Sequence, residues 1–275
     1  MKKRRDDPRP QGGARWVAVG ELGEAFGSDA SAYTVAPSAP DGRKTPLAGD
    51  FEDGSAAEYR FQSAAERICG AGRMDQYRAT EMRSGIQCVD FVVSDQRASA
   101  IRPALDPGRC ICTAREAELP TEAEAAVPLI ERVARSGERT GVEARFLSGM
   151  IDAPFGRGAD RHVDTVERIG ERIEYTYRRS QRCERLHLNK RFNTWPCLAG
   201  CEQGLPDTDH CRHLRVADRL YLFLWREKIM PRLGAVLVDL ERMKTTGKIF
   251  GSRGFDFGVV MNFPGGARGC LADVS

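Results

Sequence analysis

Between Phe192 and His213 the chain gathers Cys197, Cys201, Cys211, His210, His213, Glu202, Asp207 and Asp209. The segment then runs into the aromatic stretch Leu220-Tyr221-Leu222-Phe223-Leu224-Trp225. Three kinds of chemistry could use these groups. Cys197-x3-Cys201 followed by His210-Cys211-x-His213 offers zinc ligands, but the second half departs from the spacing of structural zinc sites, so no metal is assigned. Cys197 or Cys211 beside His210 or His213 could form a thiolate–imidazole pair, against the plainer alternative of thiols packed under a loop. Asp207 and Asp209, following Gly204-Leu205-Pro206, read first as turn formers. Lifted into an apolar mouth, the same carboxylates could serve as general acid or base, because desolvation raises their pKa.

The elements that must position these groups read mostly as strand. Ile173, Tyr175 and Tyr177 alternate with Glu174, Thr176 and Arg178. In 220–225 the alternation puts Tyr221, Phe223 and Trp225 on one face and the leucines on the other, so the strand should be buried on both sides or line a cavity. Gly234 to Leu240 and Thr246 to Phe250 read as further strands. Glu122 to Arg135 starts as a helix that Pro128 should break. Gly156-x-Gly158 and Gly265-Gly266 lack the strand–loop–helix setting of a phosphate cradle and read as turns.

A weak internal repeat organises these strands. Gly54–Phe61 aligns with Gly170–Tyr177 at an offset of 116, and Ile86–Phe91 with Leu220–Trp225 at 134; Ala104-Leu105-Asp106 matches Val238-Asp239 at a similar offset. The difference implies an insertion of about 18 residues in the second copy, falling on 192–213, a polar loop at its rim. The expected organisation is a disordered tail over 1–13, a first domain over 14–135, a linker over 136–160 and a second domain over 161–275. Residues 40–76, rich in Ala, Gly and Arg, predict an irregular first unit.

Composition bounds the function. The 275 residues are 41% hydrophobic and 29% charged, as in a soluble globular protein, and a net charge of +3 is too small for a nucleic-acid footprint. No run of apolar residues is long enough for a membrane span. Nine cysteines without a secretory signal point to free thiols in the cytoplasm. Cys69, Cys88, Cys110, Cys112 and Cys270 read as small buried hydrophobes, with Cys110 and Cys112 on one strand face.

The C-terminal block carries longer motifs: Thr194-Trp195-x-Cys197-Leu-Ala-Gly200, Gly204-Leu205-x-Asp207-Thr208-Asp209-x-Cys211, Trp225-Arg226-Glu227-Lys228-Ile229-x-Pro231, Asp239-Leu240-x-x-Met243 and Gly247-Lys248-Ile249-Phe250-Gly251. With Tyr77-Arg78-Ala79-Thr80 and Val89-Asp90-Phe91 they resemble the MoaF family over most of 15–270. The resemblance implies two tandem lipocalin-like (calycin) antiparallel barrels, a mainly β fold, each barrel able to hold one small ligand. It further implies a place in bacterial amine or secondary metabolism, and related calycin enzymes include phenolic acid decarboxylases that work without a cofactor. No catalytic residues are carried over by motif.

The expectation is therefore a cofactor-independent lyase, isomerase or cyclase acting on a small aromatic or phenolic molecule in the second barrel. Its pocket is expected to be lined by Tyr175, Tyr177, Tyr221, Phe223 and Trp225, with His187 and Trp195 as further contacts. Asp207, Asp209, Arg226 and Glu227 would move protons or hold developing charge. The alternatives are a lipocalin-like binding protein without catalysis, and an interaction protein docking through the 192–213 loop. The expected partner is a small hydrophobic or aromatic ligand, not nucleic acid or membrane; a homodimer is compatible with the sequence.

Overall fold

A computed structural model describes residues 46–62, 67–70, 73–93, 99–101, 104–200, 202–253 and 256–272. The expected N-terminal tail and Cys201 lie outside the described residues. Nine strands form the first sheet: β1 (Leu47–Phe51), β2 (Ala56–Gln62), β3 (Arg67–Gly70), β4 (Arg73–Arg83), β5 (Ile86–Val93), β6 (Ser99–Ile101), β7 (Ala104–Asp106), β8 (Ile111–Glu118) and β9 (Glu143–Ile151). Nine more form the second: β10 (Val163–Asp164), β11 (Arg172–Arg178), β12 (Gln181–His187), β13 (Phe192–Ala199), β14 (Pro206–Ala217), β15 (Leu220–Arg226), β16 (Arg232–Asp239), β17 (Lys244–Arg253) and β18 (Asp256–Leu271).

Each sheet closes on itself as an antiparallel barrel, and the two follow one another along the chain. In the first, β1 pairs with both β2 and β9, while β6 and β7 act as halves of one stave between β5 and β8. In the second, β11 pairs with β12 and β18, β14 pairs with β15, and β10 adds outside the ring on β14. Two helices, α1 (Glu122–Ala125) and α2 (Leu129–Ser136), cross between β8 and β9. Pro128 caps α2 as the expected break, and Gly137 ends it at φ 73°.

Three expectations change. Residues 143–151, read as linker, are the strand that closes the first barrel against β1 and β8. The segment 47–70, expected to be irregular, supplies three of that barrel's strands. Residues 192–213 fall in the paired strands β13 and β14 rather than in a loop, with β13 ending at Ala199 and β14 beginning at Pro206.

The repeat survives in part. β5 and β15 are each the fifth stave of their barrel, so the offset of 134 joins equivalent strands. β2 and β11 are not equivalent staves, so the offset of 116 and the insertion drawn from it fall away. Turns carry the better signature. Gly85 and Arg219 stand one residue before the two fifth staves, and both have positive φ. Asp106-x-x-Arg109 and Asp239-x-x-Arg242 each form a turn in which the aspartate Oδ1 accepts from the arginine N–H, at 3.3 and 3.0 Å. Cys110 and Met243 follow these arginines, both in the left-handed region. Cys110 is thus an exposed turn residue, not a strand partner of buried Cys112.

The barrels pack through equivalent faces. Leu220, Leu222 and Leu224 turn outward from β15 onto Met82, Ile86 and Cys88 of the first barrel. Arg109 donates to the carbonyl of Val216, and Arg242 donates to the carbonyl of Met82. Met82 stands four residues before Ile86, and Val216 four before Leu220, so the contacts are reciprocal. Arg83 forks onto Asp239 with two bonds of 2.8 Å, and Lys248 pairs with Asp90, both pairs joining the barrels. Among the described residues no helix is long and apolar enough to cross a membrane.

Candidate functional site in the second barrel

The strand pairing decides which side chains face the lumen. Phe223 stands opposite His213 and Val236, Trp225 opposite Cys211 and Gly234, His187 opposite Asn193, and Asn193 opposite Asp209. Side chains alternate across a sheet. One inner wall therefore carries Tyr175, Tyr177, Cys183, Arg185, His187, Asn193, Trp195, Asp207, Asp209, Cys211, His213, Tyr221, Phe223 and Trp225. All the expected ligand contacts lie on it. Arg226 does not: it points out to the Val142 carbonyl and Glu138.

Phe223 is the hub. Its ring lies 4.9 Å from those of His187 and His213 and 5.3 Å from Trp225. The Arg185 guanidinium lies 4.0 Å from the Trp225 ring centroid and 5.4 Å from that of Phe223, and donates to Asn193 Oδ1 at 2.8 Å. Arg168 approaches from the other end, 5.9 Å from Phe223, with Nε on Glu171 at 2.7 Å and Nη2 on the Tyr175 hydroxyl at 3.3 Å. The loop that carries it is stitched to β12 by Gly170 N–H to the His187 carbonyl and His187 N–H to the Glu171 carbonyl. Sequence reading missed both arginines. Arg185 alternates with Cys183 and His187 and so was findable by its period of two; Arg168 sits in a turn with no local signal.

Buried polar atoms are usually hydrogen-bonded, and exceptions call for an explanation. Among the described residues, Arg168 Nη1, His187 Nε2 and Trp225 Nε1 are buried without a hydrogen-bond partner. His187 and His213 share one bond of 3.0 Å between Nδ1 and Nε2. Burial, with the charge of Arg168 added, keeps both imidazoles neutral, His213 down to about 3.

At the opposite rim, Asp209 accepts from Trp195 Nε1 at 2.7 Å and from the Lys228 N–H at 3.2 Å, and burial raises its pKa. Asp207 is tied to Lys228 Nζ. Glu227, one residue beyond β15, is raised to about 7, first by burial and then by Asp209 and Glu202 against the pull of Arg232. A carboxylate near neutrality at a lumen mouth can both give and take a proton.

The cysteine and histidine readings lose their geometry. His210 faces out of the sheet toward Glu138, away from inward Cys211 and His213, and Cys197 pairs across strands with Cys183. Among the described residues no group of three or more His, Cys, Asp or Glu is placed to hold a metal ion. Burial pushes the Cys211 thiol up to about 12, the wrong direction for a nucleophile. A cleft of about 410 Å³ opens beside β14, where its edge passes from β13 to β10. It is lined by outward His210 and Arg212, by inward Cys211 and His213, and by Phe146 of the first barrel.

The family model for the MoaF C-terminal domain matches residues 162–274. Protein MoaF of Klebsiella aerogenes is 35% identical over 265 residues, covering 95% of this chain and 97% of that protein. A crystal structure of a "putative beta-lactamase" from Burkholderia vietnamiensis aligns with 41% of this chain and all of its own, at 10% identity and a TM-score of 0.34, a likeness that bears on neither fold nor function.

Proposed function

The chain belongs to the MoaF family, and from that premise we propose that its second barrel binds a small aromatic or phenolic molecule and transforms it by proton transfer without a cofactor, as a lyase, isomerase or cyclase of amine or secondary metabolism in the cytoplasm. The observation that carries the reading is the composition of the inner wall. Tyr175, Tyr177, Phe223 and Trp225 cluster as an aromatic wall, and His187 and Trp225 present nitrogens that have no protein partner among the described residues. Such a mixture of aromatic surface and a few convergent polar atoms is what a small-molecule site needs. Glu227 supplies the proton-transferring group, and Asp209, held by Trp195 and Lys228, stabilises positive charge developing beside it.

Binding without turnover is the second reading, and one observation favours it. Asp207 and Asp209 are both engaged by Lys228, so two of the candidate carboxylates already have structural work. Native mass spectrometry of protein purified from its own host tests the common premise by showing a co-purifying small molecule. Turnover of that molecule by the wild type and its loss in Glu227→Gln support the enzyme. Retention of the molecule unchanged by both proteins supports the binder.

A further inference from the structure

We infer that the molecule held in the second barrel is an aromatic acid, its anionic oxygens received by Arg168 Nη1 and His187 Nε2. This rests on the reading of that barrel as an aromatic site and adds the charge and orientation of its ligand. Arg168 is only 1% exposed and His187 fully buried, and each leaves one nitrogen without a partner among the described residues. The rest of both side chains is committed. Glu171 and Tyr175 hold Arg168 Nε and Nη2, and His213 holds His187 Nδ1. In the tautomer in which His213 donates, His187 Nε2 carries a proton and faces the lumen as a donor.

The two groups belong together. The loop of Arg168 and the end of β12 are joined by backbone hydrogen bonds on either side of His187, so the spacing of guanidinium and imidazole is built into the fold. Both approach the Phe223 ring, at 5.9 and 4.9 Å. An acid seated there sets its aromatic body against the edge of Phe223, the ring that both donors approach. The charge of the ligand follows from the donors. A guanidinium N–H buried without an acceptor is costly, and a carboxylate oxygen satisfies it with a charge-assisted bond roughly twice as strong as a neutral one. The field agrees in sign: after burial, the positive charges of Arg168, and to a smaller degree Arg185, oppose a proton on His187. A cationic amine in the same place would meet two guanidinium groups.

The test uses the wild-type full chain and acid–amide pairs of matched shape, in which the amide removes the charge and one acceptor oxygen. Benzoate, cinnamate and 2-naphthoate, each with its primary amide, are titrated with tryptophan fluorescence and calorimetry as readouts, together with phenol and phenethylamine. The expected result is that at least one acid binds, with its amide at least about tenfold weaker. Arg168→Met is expected to make acid and amide equal. An amide as tight as its acid, or a preference for the amine, overturns the inference and leaves the aromatic site standing. Failure of every probe overturns both. Should Arg168→Met not fold, the acid–amide comparison on the wild type still decides.

Discussion

Glu227 stands one residue past the aromatic strand, and its environment gives it a proton affinity close to neutral. Burial does most of this and the neighbouring Asp209 and Glu202 the rest, with Arg232 pulling the other way. If it acts as a base, kcat/KM for the recovered substrate rises with pH through about 7, and Glu227→Gln lowers it by about 10²–10⁴. A pH–rate profile that keeps its shape in Glu227→Gln would remove this residue from the machinery. The paired histidines make a separate prediction about stability. Their folded pKa values lie below the ordinary 6.5, His213 at about 3, so the unfolded chain takes up protons that the folded barrel refuses. Their contribution is complete above 6.5 and is lost as pH falls toward 3. Each neutral histidine should therefore cost about 1.4 kcal/mol of stability per pH unit below its ordinary value. Urea unfolding at several pH values should show a steeper acid loss in the wild type than in His187→Phe/His213→Phe; equal slopes would show that these rings do not stay neutral.

At the scale of the strand, Gly234 lets Trp225 lie where it does. The indole crosses β16 at this point, and a Cβ on residue 234 would fall 2.0 Å from its ring. Gly234→Ala must displace the ring and disturb its contact with the Arg185 guanidinium, at a cost of about 1–3 kcal/mol. The expected outcome is a lowered melting temperature together with a shifted tryptophan emission; a variant with both unchanged would show that the ring has room to spare. The same strands show what the sequence could disclose. β11, β15, β16 and β17 were legible because each carries a β-branched or aromatic run, and the two faces of β15 separate as the alternation predicts, tyrosine and aromatics inward, leucines onto the first barrel. β13 and β14 were not legible, because a lumen that holds Asn193, Asp207, Asp209 and His213 replaces the apolar side of the alternation with polar residues. Pro196, Gly200, Gly204 and Pro206 added turn signals around a hairpin that needed only one turn. The false offset of 116 came from a generic Glu-Tyr-x-aromatic alternation that any half-buried strand can carry.

For the whole molecule, the reciprocal contacts of Arg109 and Arg242 make the chain resemble a symmetric dimer fused into one polypeptide, with an isologous interface between non-identical halves. The symmetry breaks at Arg83, whose fork on Asp239 has no counterpart among the described residues, because Ala217 stands where the second barrel would need an arginine. Asp239 is fully buried, and burial alone would raise its pKa. Arg83, with the N–H groups of Glu241 and Arg242, more than offsets that and holds the carboxyl below its ordinary 3.8. A depressed carboxylate stabilises the fold above its ordinary pKa and ceases to as pH falls through the folded value, so this clasp is intact at neutral pH and opens only in strong acid. Removing the arginine leaves a buried charge facing the other barrel, which typically costs about 3–5 kcal/mol, whereas half-exposed Arg109 should matter much less. The aliphatic contacts across the interface remain in either variant. Arg83→Met should therefore split a single urea transition into two, the barrels losing their mutual support at neutral pH, while Arg109→Ala should leave one transition slightly displaced. A single, undisplaced transition in Arg83→Met would mean that the leucine face of β15 alone couples the barrels.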